Sequence, residues 1–214
     1  MASAIFLYHK LIMGRLRYDS KKEKHALESE YTINSFPYDN PVNTIIEIGT
    51  GKGEMITQMA QLNPNNFYIG IEKYAVPASY AIKKAEKLEL KNIKFIIGDA
   101  LELQSYFKNK ISKIWLTFSD PWPKKRHASR RLSHENFLKL YQNILDENRI
   151  VHFKSDNNDL YEYTLESLNN FGANVIEKTT DINIVAHKIN NIQTGYEKKF
   201  SSKGKNINYI KFKF

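Results

Sequence analysis

The run Thr44-Ile45-Ile46-Glu47-Ile48-Gly49-Thr50-Gly51-Lys52-Gly53-Glu54 decides the fold. Its isoleucines favour an extended strand, and the glycines at 49, 51 and 53 let the backbone turn tightly and admit a ligand close to the chain. A dinucleotide fingerprint, Gly-x-Gly-x-x-Gly, needs its third glycine at position 54. Glu54 stands there instead, an anion where a pyrophosphate requires a helix N-terminus. No Gly-Lys-Ser/Thr follows, so a Walker loop is absent as well. Nicotinamide, flavin and nucleoside triphosphate ligands are therefore disfavoured. The pattern Glu-x-Gly-x-Gly-x-Gly suits a ligand with hydroxyls and an amine but no phosphate.

Outward from this turn, short β-rich runs alternate with helical patterns. A helix after Gly53 sets Ile56, Met59, Ala60 and Leu62 on one side and closes at Asn63-Pro64. Phe67–Ile71 reads as a second strand. A helix over roughly 75–90 follows, with Val76, Tyr80, Ala81 and Leu88 near one face. Ile93–Ile97 and Lys113–Phe118 are the third and fourth strands. Ser133 is the expected N-cap of a helix carrying Phe137, Tyr141, Ile144 and Leu145. Ile150–Phe153 makes the fifth strand, and a helix through Leu160, Tyr163, Leu168 and Phe171 stops at Gly172. Val175-Ile176 and the alternating Asn208–Phe214 form a final strand pair. This order predicts an α/β, Rossmann-like, mostly parallel sheet with helices on both faces. Ligands in such folds bind beyond the carboxyl ends of the strands.

Composition narrows the partners. The 214 residues include 32 Lys+Arg against 23 Asp+Glu, a formal charge of +9. That excess favours a polyanion, nucleic acid before an anionic membrane. Cysteine is absent, which excludes disulfides, thiolate metal sites and cysteine nucleophiles. The six histidines are scattered without metal-ligand spacing, so no metal is expected. No apolar run reaches the ~18 residues of a membrane span. The opening Met1–Lys10 lacks the pattern of a signal peptide, and a cytoplasmic protein is expected. Residues 1–13 read as an extension, possible as an alternative start, ahead of one domain over 14–214.

The strand ends carry the chemistry. Glu47 precedes the glycines, and Glu72, 19 residues after Gly53, is placed to accept both hydroxyls of a ribose. Asp99, in Gly98-Asp99-Ala100, can reach an adenine amino group or a ribose edge. Three acids at three consecutive strand ends, with no phosphate cradle, point to S-adenosyl-L-methionine. The fourth strand runs into Thr117-Phe118-Ser119-Asp120-Pro121-Trp122-Pro123-Lys124-Lys125-Arg126-His127. The prolines stop sheet and helix alike, which fixes one carboxylate and one indole beside the methyl donor. Trp122 offers a stacking face to a base, and the basic run through Arg130 and Arg131 can bind phosphate.

At these residues the chain resembles the bacterial tRNA (guanine-N7)-methyltransferases, class I S-adenosylmethionine-dependent enzymes. The likeness covers about residues 14–214. It also rests on Phe153-Lys154-Ser155-Asp156-Asn157, on Thr194-Gly195-Tyr196-Glu197-Lys198-Lys199 and on the basic start Arg15-Leu16-Arg17. The resemblance implies a seven-stranded sheet with an antiparallel C-terminal strand and methylation of the variable-loop guanine at position 46 of tRNA. It implies cofactor contacts from Glu47, Gly49, Gly51, Gly53, Glu72 and Asp99, with Asp120 catalytic at the junction of cofactor and substrate. It assigns substrate contacts to Lys124, Asp156, Thr194, Gly195, Tyr196 and Glu197, and RNA contacts to Arg126, His127, Arg130 and Arg131. The oligomeric state expected is monomer or homodimer. Two rivals remain at this level: a methyltransferase of the same fold with another RNA or protein substrate, and a basic RNA-binding module without catalysis. A membrane-surface protein ranks below both, because the basic residues do not share one amphipathic helix.

Overall fold

The computed structural model describes residues 18–187, 189, 191–194, 197, 202 and 204–214. The 1–13 extension, Arg15, Arg17, Gly195, Tyr196, Lys198 and Lys199 lie outside the described residues. Seven strands form one sheet: β1 (Thr44–Ile48), β2 (Phe67–Glu72), β3 (Ile93–Ile97), β4 (Ile111–Thr117), β5 (Leu145–Ser155), β6 (Asn174–Thr179) and β7 (Asn208–Lys213). Their order is β3-β2-β1-β4-β5-β7-β6. β1 to β5 run parallel, while β7 lies antiparallel between β5 and β6. The order reverses between β1 and β4, and the crevice at that switch point is where an open α/β sheet takes its ligand.

Alternation along the strands splits the apolar side chains between two cores. Ile46, Ile48, Ile69, Ile71, Ile114, Leu116 and Phe153 face one side, packed with Leu103 and Tyr106 of the short α4 (Leu103–Tyr106), Phe137, Leu138 and Tyr141 of α5 (Glu135–Ile144) and Leu160 and Leu168 of α6 (Asn158–Phe171). Ile45, Tyr68, Phe95 and Trp115 face the other. There they meet Met55, Ile56, Met59 and Ala60 of α2 (Glu54–Leu62) and Ala81, Ile82 and Ala85 of α3 (Ala75–Lys87). Each isoleucine buried in this way contributes about 1.5–3 kcal/mol of apolar transfer. Both faces are covered, as the strand–helix alternation predicts.

Four expectations need correction. In α3 the buried face is Ala78, Ala81, Ile82 and Ala85, whereas Tyr80 and Leu88 are 38% and 41% exposed. Small residues bring α3 close to its neighbours, so side-chain size points to the wrong face. Leu62, the last residue of α2, is likewise exposed. The N-cap of α5 is His134 rather than Ser133; its Nδ1 accepts from Asn136 N–H at 3.3 Å. Ser133 is buried against α6, where its hydroxyl accepts from Thr164 Oγ1 (2.8 Å) and its carbonyl from Ser167 Oγ (2.7 Å). β5 also begins five residues early, at Leu145, through the polar stretch Asp146–Arg149 that hides it from a hydropathy reading.

At the N-terminal side, α1 (Ser20–Glu28) docks on α3. His25 Nε2 lies 3.0 Å from Glu86 Oε2, and Ser29 Oγ donates to Glu86 Oε1 at 2.9 Å. No described helix is long and apolar enough to cross a membrane.

Candidate active site

The β1–α2 turn is built from glycines because its dihedrals demand them. Gly49, Gly51 and Gly53 have φ of 80°, 56° and 69°, the left-handed region in which a side chain is strained. Gly53 has a second reason: a Cβ there would stand 2.5 Å from Ala81 Cβ, so the start of α2 rests directly on α3. Gly51 differs. Nothing lies within 4 Å of where its Cβ would be, and the space above it is open.

Around this turn the predicted acids sit at strand ends with distinct surroundings. Glu47 is buried on β1; Oε1 accepts from Thr117 Oγ1 of β4, and Oε2 is buried with no hydrogen-bond partner. Burial pushes its carboxyl up to about 7, against the opposing pull of the Thr117 hydroxyl, the nearby Lys154 ammonium and the Ile56 amide, which faces the carboxylate without making a hydrogen bond of normal geometry to Oε2. Glu72 ends β2 and braces the glycine turn: Oε2 accepts from Gly51 N–H (2.8 Å), Oε1 from Tyr74 N–H (3.1 Å). Burial raises its pKa, backbone donors hold it back, and the Asp120 carboxylate adds to the rise. The two side chains are therefore close in charge space although 48 residues separate them in the chain.

Asp99 is more committed than the sequence suggests. Oδ1 caps the following turn by accepting from Leu101 N–H (3.0 Å), and Oδ2 pairs with Lys73 Nζ at 2.7 Å. Partial burial pushes its carboxyl up, but Lys73 and the Leu101 amide outweigh that and leave it below the ordinary value. Lys73 has no motif around it and was invisible to sequence reasoning.

Asp120 is exposed beyond β4. Its loop is strained on both sides, with Phe118 at φ 50° and Trp122 at φ 41°, conformations that non-glycine residues hold only when their surroundings enforce them. The enforcing contacts are present. Phe118 N–H donates to Lys154 O (2.9 Å), and Arg131 donates from Nε to Pro121 O and from Nη2 to Trp122 O, both at 3.0 Å. The Arg131 guanidinium also lies 4.1 Å over the Tyr163 ring. Arg131 is thus half-buried and braces the loop, unlike the exposed Lys124, Lys125, Arg126 and Arg130. Arg130 lies 4.9 Å over the Trp122 ring, with His127 edge-on to it, so one indole face already has a cation on it. Partial burial and then the cations Arg130, Arg126 and Lys124 keep the His127 pKa below its usual value.

On the far side of β5, Asp156 is half-buried and lies just beyond the strand. Thr194 and Glu197 are almost fully buried; Thr194 Oγ1 accepts from Glu197 N–H at 2.9 Å. Their side chains face protein partners, which separates them from the exposed basic run. Gly195 and Tyr196 lie outside the described residues. Lys154, wholly buried, was missed as a site residue; the signals were a lysine at the end of an apolar strand and its place in the Phe153–Asn157 run.

The orphaned Glu47 oxygen, the open space at Gly51 and the braced Glu72 fit a ligand that carries an amine and a ribose. Solved structures share the architecture. The 16S rRNA methyltransferase KamB superposes with a TM-score of 0.58 at 11% identity, over 94% of this chain and 95% of that one. A methyltransferase from Streptococcus mutans solved in complex with SAH gives 0.53 at 11% identity, over 82% of this chain and 89% of that one. The fold is that of the class I methyltransferases. The family model described as "Putative methyltransferase" matches residues 41–210. The tRNA (guanine-N(7)-)-methyltransferase of Metamycoplasma hominis is 50% identical over 94% of this chain and 99% of its own length. The chain belongs to the tRNA (guanine-N7)-methyltransferase family.

Proposed function

We propose that this protein methylates N7 of the variable-loop guanine at position 46 of tRNA in the cytoplasm, with S-adenosylmethionine as donor, acting as a monomer or homodimer. The observation that carries the reading is the strained, braced loop holding Asp120 exposed within the field of the buried Glu72 of β2. Bound S-adenosylmethionine supplies an electrophilic methyl on a sulfonium. Glu47 would meet its amine, and Glu72, whose two oxygens each keep a lone pair beyond the backbone bonds, would accept its ribose hydroxyls. Asp99 would take the adenosine edge with Lys73 beside it.

Guanine N7 carries an in-plane lone pair, so attack requires no prior deprotonation and no catalytic base. The purine becomes cationic as the transfer proceeds. What the protein must supply is alignment and a negative field. Asp120 and Asp156 would accept the N1–H and N2 amino donors of guanine, or face the developing cation. Adenine lacks that donor pattern. Lys124, Lys125, Arg126 and Arg130 would track phosphates, which fix the register of the RNA without reading its sequence. Reaching the base requires its release from tertiary contacts within the tRNA.

The test is Asp120→Ala with two readouts. Methyl transfer to tRNA should fall about a hundred- to a thousandfold, the range of a lost electrostatic partner at the reacting centre. Binding of S-adenosylhomocysteine by calorimetry should remain measurable. Turnover at the wild-type rate in this variant would sink the assignment of Asp120.

A further inference from the structure

The ammonium of Lys154 is the best-satisfied buried charge among the described residues, and no part of the methyl-transfer chemistry uses it. Lys154 lies near the carboxyl end of β5, in register with Thr117 of β4 and Tyr209 of β7, and its side chain is 0% exposed. An ammonium has three donors. Here all three are used: Nζ donates to Asn191 Oδ1, to Ile192 O (3.2 Å) and to Glu197 Oε2 (3.2 Å). Glu197 is equally buried, and its other oxygen accepts from Asn191 Nδ2 at 2.7 Å. Lys154, Asn191 and Glu197 therefore close a ring in which each side chain touches the other two. Both Glu197 oxygens are occupied inside the protein.

This geometry is at odds with Glu197 touching RNA. A fully buried carboxylate held by an ammonium and an amide has no face left for a nucleotide. We propose that Lys154 is a positioning residue: with Asn191 it fastens Glu197, and with it the described residues 191–194, onto β5 next to the Asp120 loop, and Glu197 acts as the anchor of that segment and not as a tRNA contact. The inference rests on the reading that this segment borders the tRNA-binding face.

Two further contacts join the latch to the reacting end of the sheet. The backbone carbonyl of Lys154 accepts from Phe118 N–H at 2.9 Å, so the same residue holds the base of the Asp120 loop. Its ammonium also lies 5.4 Å over the Trp115 ring and exerts its field on Glu47. One residue thereby reaches the segment and the environment of the cofactor-side acid with its side chain, and the loop with its backbone. A buried ion pair adds little net stability over apolar side chains of similar volume, whereas removing one partner alone is strongly destabilising. Retaining the pair makes sense if it fixes a geometry.

That asymmetry provides the test, performed on the full-length protein with three variants. Lys154→Met alone should lower the melting temperature, because Glu197 is left buried and unpaired. The double variant Lys154→Met/Glu197→Leu should regain most of that loss. The KM for tRNA should nevertheless stay about tenfold or more above wild type, with S-adenosylhomocysteine affinity within about threefold. Asn191→Ala leaves the charge pair in place and opens the ring; it should fold and raise the tRNA KM about fivefold, which decides the matter if the double variant fails to fold. A double variant, or Asn191→Ala, with wild-type KM for tRNA would overturn the proposal and leave the pair a packing element. If wild-type protein in the same assay yields no 7-methylguanosine, it is the functional reading that fails, and hydrogen exchange of the Glu197 amide in Asn191→Ala still tests the latch. Faster exchange supports it and unchanged exchange overturns it.

Discussion

Glu47 is held near neutrality by its burial, and this has a measurable consequence in the protein without cofactor. Its folded pKa, about 7, lies above the ordinary value of 4.5. A group raised in this way contributes stability that is complete below about pH 4.5 and is lost as pH rises through about 7. Glu47→Gln removes the titration. The variant should be more stable than wild type at pH 8, by at most about 3 kcal/mol, and should lose that advantage by pH 4.5. Denaturant unfolding of both proteins across that range checks it; parallel curves would contradict it. The variant should also bind S-adenosylhomocysteine more weakly, since the orphaned oxygen is gone. At this scale the sequence was informative about which acids stand at strand ends and silent about their partners. Glu47, Glu72 and Asp99 could be located by counting from each strand. The Thr117 hydroxyl, Lys73 and Lys154 could not be assigned as their partners, because they arrive from other strands; Thr117 and Lys154 stand inside motif runs, but nothing local gives their role.

Among the elements, the β1–α2 turn separates two roles that glycine can play. Gly53→Ala meets both left-handed strain and the Ala81 side chain, so it should destabilise the protein by about 3 kcal/mol. Gly51→Ala meets strain alone and should cost about 1 kcal/mol. Its new methyl would instead enter the open space above the turn and weaken S-adenosylhomocysteine binding about tenfold. Chemical denaturation and calorimetry on the two variants distinguish these outcomes. Equal stability losses would mean that the close approach to α3 is unimportant. The elements themselves were legible where periodicity was strong, as in β1 to β4 and α6. They were misread where it was weak. The buried face of α3 is alanine-lined, and the first half of β5 is polar and turns through Arg149 at φ 52°. The identity of the N-cap of α5 turned on which of two adjacent polar residues faces the core, a matter settled by α6 and not by the local sequence.

Across the whole molecule, the charge of +9 is spread unevenly, and the exposed basic run after Asp120 is its clearest concentration at the site. If that run contacts phosphates, tRNA affinity should fall steeply with salt, and the double variant Arg126→Gln/Arg130→Gln should reduce the log–log slope by about 2. A slope unchanged from wild type would place the RNA elsewhere. Arg131 belongs to a different class, since its loss would slacken the loop as well as remove a charge. The mostly parallel sheet followed from the order of strands and helices, and the antiparallel C-terminal strand from the family resemblance. The switch point at β1 and β4 and the insertion of β7 between β5 and β6 were not legible, because a strand pair alone does not say which neighbour it joins. Transfer to one atom of one base is tested by methylating an unmodified tRNA transcript with this protein and S-adenosylmethionine, then mapping reductive and basic cleavage along the RNA. A single cleavage at the variable-loop guanine, absent when that guanine is replaced by adenine, is the predicted result. Methylation that leaves the chain uncleaved, or cleavage at another guanine, would contradict it.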